Sequence, residues 1–121
     1  MKPEISIIMP GIRPENWLRG YNSIYSATNK SFELIIISPY PLPKELENQR
    51  NVKYIKDFGS PTRASQIGNT LAEGKFIFPN FCDDAIFIKD SIDSNLKTLI
   101  EMGNNIKNVV TCKYSESPTD R

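Results

Sequence analysis

The chain has 121 residues, 39% hydrophobic and 24% charged, and its 15 Lys and Arg against 14 Asp and Glu leave a formal net charge of +1. That length fits one domain (1–121) with a single core, and near-neutrality gives no electrostatic basis for binding nucleic acid or an anionic membrane. Histidine is absent, which excludes every mechanism that needs an imidazole base, the serine and cysteine triads included.

Ile5, Ile7, Ile8 and Met9 are nearly continuous and predict a buried strand over Glu4 to Met9. Pro10-Gly11-Ile12-Arg13-Pro14 reads as a loop. Trp17, Leu18, Tyr21, Ile24 and Tyr25 recur at helical spacing, so a helix is expected over about 15–28. Phe32 to Ile37 is a second strand, apolar enough to be buried on both faces, as in a parallel sheet. Three prolines make Ser38 to Pro43 a rigid loop. A short helix over Lys44 to Gln49 and a strand over Val52 to Ile55 follow. Ser60-Pro61 is a helix cap with proline in the first turn. Ala64, Ile67, Leu71 and Ala72 form the apolar face of that helix, and Gly74 is expected to end it. Lys75 to Phe78 is a fourth strand. Asp90 can cap a helix faced by Ile92, Leu96, Leu99 and Ile100 and stopped by Gly103, and Val109 to Cys112 is a fifth strand. The residues from Ser115 to Arg121 read as a polar tail.

Strands alternating with helices predict a three-layer α/β/α fold with a mainly parallel, Rossmann-like sheet. Ligands of such sheets sit at the carboxyl ends of the strands. That rule selects four loops: Pro10 to Pro14, Ser38 to Pro43, Asp57 to Arg63 and Phe81 to Ile86. No apolar run is long enough to span a bilayer, and no signal peptide is recognisable. Cys82 and Cys112 lack the spacing of a zinc site or a disulfide framework. The chain therefore reads as soluble and cytoplasmic, its thiols reduced.

The chemistry centres on Asp83 and Asp84. Adjacent carboxylates in an apolar setting repel each other unless a cation neutralises them. Mg²⁺ or Mn²⁺ does this well, and Mg²⁺ is commonly held by one or two carboxylates together with substrate phosphates. The plainer alternative is a solvated acidic turn, with Lys89 as the neighbouring cation. Trp17 reads as core, Tyr40 as a candidate stacking residue, and Lys53, Lys56 and Lys75 as solvated charges.

Taken together, Ile5-Ser-Ile-Ile-Met-Pro10, Phe32-Glu-Leu-Ile-Ile-Ile37, Thr62-Arg63, Leu71-Ala-Glu-Gly-Lys-Phe-Ile77 and Cys82-Asp83-Asp84 resemble the nucleotide-binding half of family 2 glycosyltransferases with the GT-A fold. The resemblance runs from about Glu4 to Tyr114. It implies a metal-dependent transferase that binds a nucleoside-diphosphate sugar, UDP-sugar preferred, and passes the sugar to an unknown acceptor. Pro10, Gly11, Ile12 and Arg13 would line the nucleoside pocket, and Arg63 would contact the base or diphosphate. Asp83 would meet the ribose or the metal, and Asp84 would be the direct ligand of Mn²⁺ or Mg²⁺. Ser38 stands where the family has a base-reading Asp, and Cys82 replaces the first Asp of the metal motif. The family's acceptor-binding half, with its general base, has no counterpart in the sequence, where Glu116 and Asp120 are the only late acids. A binding module or fragment without transfer activity is the alternative, and self-association into a homo-oligomer is another way to complete the site. The sequence lacks the acidic pair after strand one that a receiver domain needs. It also lacks the glycine-rich turns of dinucleotide folds and nucleotidyltransferases.

Overall fold

A computed structural model of the chain describes residues 2–101. The elements are β1 (Ile5–Pro10), a 3₁₀ turn (Pro14–Asn16) running into α1 (Trp17–Ala27), β2 (Phe32–Ser38), α2 (Lys44–Glu47), β3 (Val52–Lys56), α3 (Pro61–Leu71), β4 (Phe76–Phe78) and α4 (Ser91–Glu101). The strands form one all-parallel sheet in the order β3-β2-β1-β4. Ile7 stands opposite Leu34 on one side and Phe78 on the other.

Strand alternation sends side chains to two faces. Ile5, Ile7, Met9, Leu34 and Ile36 pack with Trp17, Tyr21 and Ile24 of α1 and with Ile92 and Leu96 of α4. Ile8, Ile35 and Ile37 point the other way, onto Ala64 of α3. Helices on both faces of a parallel sheet make a Rossmann-like three-layer α/β/α domain, as the alternation predicts. All seven residues of β2 are buried, which is what a central parallel strand requires.

One corner of the second face is polar. Glu33, in β2, is buried and accepts from Ser6 Oγ at 2.5 Å, from Lys53 Nζ at 2.7 Å and from the Glu73 backbone N–H at 2.8 Å. Burial pushes the Glu33 carboxyl up, but the Glu73 amide, Lys53 and Ser6 outweigh it and hold the group below its ordinary value. Lys53 is thus no merely solvated charge; it bridges Glu33 and, at 2.9 Å, Glu73. Gly74 does not cap α3, which closes at Ala72. It lies where the chain enters β4, and its N–H donates to Ser6 Oγ at 2.8 Å. Leu71 is exposed, and Gly68 takes its expected place on the buried face of α3. Ile100 is also exposed. The expected Gly103 stop, the strand over Val109 to Cys112 and the late acids Glu116 and Asp120 lie outside the described residues. Among the described residues, no helix is long and apolar enough to cross a membrane.

Candidate functional site at the strand switch point

The chain steps from β1 to β2 to β3 in one direction, then returns to place β4 on the far side of β1. Loops leaving β1 and β4 therefore diverge, and a crevice opens between them at the carboxyl ends of the strands. The cleft there has a volume of about 270 Å³. Pro10 to Arg13 form one wall and Asn80, Cys82 and Asp83 another; Ile37, Pro39, Asp57, Gly59, Ser60, Pro61 and Ala64 complete it. A larger hollow of about 570 Å³, bounded by Glu4, Lys30 and Glu101, lies at the opposite end of the sheet. The site is assigned to the smaller cleft because the strand ends and the ligand-type side chains converge there.

Asp83 spans the crevice. It is 3% exposed, and its Oδ2 accepts the backbone N–H groups of Ile12 (2.7 Å) and Arg13 (2.6 Å) and the indole Nε1–H of Trp17 (3.0 Å). Oδ1 takes Nη1 of Arg13 at 2.8 Å. Burial pushes the carboxyl up, but the bonds from Trp17, from the Arg13 and Ile12 amides and from the Arg13 side chain together hold it below the usual carboxylate range. Gly11 makes this possible, because a Cβ there would lie 2.6 Å from the Trp17 ring. Trp17 is fully buried, as a core residue should be; its bond to Asp83 joins residues 66 positions apart and has no local sequence signature. Arg13 is the cation that pairs with Asp83.

Asp84 is placed differently. It is exposed, and its Oδ1 accepts the Cys82 thiol at 2.7 Å, while Arg19 donates to its backbone carbonyl at 3.3 Å. The bond to Asp84 pushes the Cys82 thiol up, which disfavours the thiolate, the form that attacks or ligates. Among the described residues no three His, Cys, Asp or Glu side chains gather as a protein-only metal site would need. Asp84 still fits a divalent ion held by one carboxylate, water and ligand phosphates. Asp83 does not fit that role in this arrangement, since four N–H groups already occupy its oxygens.

A second carboxylate–arginine pair stands at the β3 end. Asp57 lines the cleft and accepts the Gly59 N–H at 3.0 Å and Nε of Arg63 at 3.1 Å to each oxygen. The Gly59 amide and Arg63 lower its pKa, the amide more strongly. Arg63 itself is not a lining residue; it lies outside Asp57 with its side chain 63% exposed. Sequence reasoning passed over Asp57, although Asp-x-Gly after a strand is a readable side-chain turn. Ser38 and Tyr40 stand apart from the cleft lining. The Ser38 hydroxyl is buried and accepts from the Tyr40 N–H at 3.0 Å, and the Tyr40 carbonyl accepts from the Tyr54 hydroxyl. Tyr40 is half exposed.

No protein-family model matches the chain, and no curated protein matches it. The fold and the site therefore define its class: a Rossmann-like α/β/α domain with a switch-point cleft, clasped by Asp83 and flanked by two arginines, each held by an aspartate.

Proposed function

We propose that the chain is a metal-dependent glycosyltransferase of minimal GT-A type that binds a nucleoside-diphosphate sugar, UDP-sugar preferred, in this cleft. The observation that carries the reading is the position of Asp84: an exposed carboxylate one residue beyond the clasp, outside the cleft lining itself but hydrogen-bonded to Cys82, which lines it. A Mg²⁺ or Mn²⁺ ion held there would offset charge on the departing diphosphate. Pro10, Gly11, Ile12 and Arg13 offer the nucleoside a wall fixed by Asp83. Asp83 serves as the brace of that wall, and the metal role falls to Asp84.

Transfer would break the bond from the anomeric carbon to the diphosphate oxygen, form one to an acceptor hydroxyl, and move the hydroxyl proton to a base. The cleft carboxylates Asp57 and Asp83 are both tied to arginines. That observation favours, as the second reading, a domain that binds the nucleotide sugar without transferring it.

Calorimetric titration with UDP-sugars, with and without Mn²⁺, tests the site on the wild type and Asp84→Ala. Metal-dependent binding that Asp84→Ala abolishes is expected; metal-dependent binding that survives the substitution would sink the assignment. A product assay with simple acceptors then separates enzyme from binder.

A further inference from the structure

We propose that Asp57, which lines the cleft, is a positioning residue for Arg63 just outside the lining: it fixes Nε so that the Nη1–Nη2 edge stands preordered for the phosphate oxygens of a ligand that reaches past Asp57. The proposal rests on the reading above, that the cleft takes a diphosphate. Arg63 Nε is 3.1 Å from both Asp57 oxygens. Asp57 is in turn anchored by the Gly59 N–H on its side chain, and its own N–H donates to the Ser38 carbonyl at 3.0 Å. The stem of Arg63 crosses directly over Gly59, where a Cβ would stand 2.2 Å from Arg63 Cδ and 2.9 Å from Asp57 Oδ2. Only a residue without a side chain leaves that path open.

A guanidinium has five N–H donors in a rigid fork. With Nε engaged, the two Nη groups keep four, and among the described residues none has a partner. That edge matches two oxygens of a phosphate. The pair is too exposed to add much to folding, so its effect should be read in binding. Across the cleft Arg13 is held by an aspartate too, but through Nη1 to Asp83 Oδ1.

The proposal predicts a sign that simple electrostatics reverses. Removing the negative charge of Asp57 should strengthen anion binding if charge alone matters. If Asp57 acts by ordering Arg63, its loss weakens binding, because the ligand must then immobilise a flexible side chain; that is worth roughly two- to tenfold in Kd. UDP and inorganic pyrophosphate, each with Mg²⁺, are titrated into wild type, Asp57→Asn, Arg63→Ala and the double variant. The expected result is weaker binding by Asp57→Asn, at least as great a loss in Arg63→Ala, and no further loss in the double variant. Unchanged or tighter binding by Asp57→Asn, or an equal added loss in the Arg63→Ala background, overturns the proposal. A ligand-free readout stands beside these: the NMR signal of the Arg63 Nε–H should persist in the wild type and exchange away in Asp57→Asn and Gly59→Ala. Its persistence in Asp57→Asn overturns the positioning role whatever the titrations give. A wild type that binds neither probe but keeps the protected Nε–H overturns the diphosphate reading and, with it, the ligand assigned to Arg63.

Discussion

Replacing Asp83 should cost far more than replacing its neighbour Asp84. Asp83→Ala deletes the acceptor of three N–H groups besides the Arg13 side chain: those of Ile12, Arg13 and Trp17. Trp17 is fully buried, so its indole N–H is left without a partner, at about 1–3 kcal/mol. The two backbone amides lie in a loop that water can reach, and their loss adds about half as much again, giving a total of about 3 kcal/mol. The Arg13 side chain is 43% exposed and returns to solvent, so it adds nothing to this sum. Asp83→Asn keeps a neutral acceptor at the Oδ2 position. Because charge-assisted bonds are roughly twice as strong as neutral ones, it should lose about half as much. Trp17 is the single tryptophan of the chain, so urea unfolding followed by its fluorescence reads stability and the local change together. A loss below about 1 kcal/mol for Asp83→Ala, or Asn and Ala variants of equal stability, would refute the reasoning.

Gly11→Ala should destabilise the fold by about 1–3 kcal/mol, since the added methyl meets a rigid indole at 2.6 Å and not a flexible chain end; thermal denaturation measures it. Glu33 makes stability depend on acid. Its folded pKa lies below the unfolded one, so its contribution is complete above the unfolded value, about 4.3, and fades as pH falls through the folded value. The melting temperature of Glu33→Gln should therefore fall less steeply than that of the wild type below about pH 5; parallel curves would contradict the assignment.

The sheet was legible because its signals are local. Ile5 to Met9 and Phe32 to Ile37 are apolar runs whose length suits strands and no other element. Ser60-Pro61 announced α3 with the very hydrogen bond it makes, from the Arg63 N–H to Ser60 Oγ at 3.2 Å. Side-chain roles were legible only where a residue's partners are close in sequence. Asp83 stood out as an acid, but its donors lie 66 to 71 positions away, and nothing local distinguishes a brace from a ligand. Lys53 read as solvated because Glu33, its partner, looks like an ordinary polar interruption in a strand. Leu71 and Gly74 were misplaced for a related reason. The α3 face is chosen by a close approach to Ile8, which Gly68 permits and periodicity does not record.

The clasp at Asp83 also bears on how the outer loop moves. Ile12 is 58% exposed, and amides at such positions usually exchange with solvent through small local fluctuations. Here the Ile12 and Arg13 amides both end on a carboxylate that belongs to the opposite side of the crevice. Opening them requires the buried Asp83 carboxylate to move, and the segment that carries it is pinned by the Phe81 N–H to the Ile8 carbonyl at 2.8 Å. Hydrogen–deuterium exchange at these two surface amides should accordingly follow the cooperative opening of the sheet, so that a ligand meeting this wall encounters a surface already set.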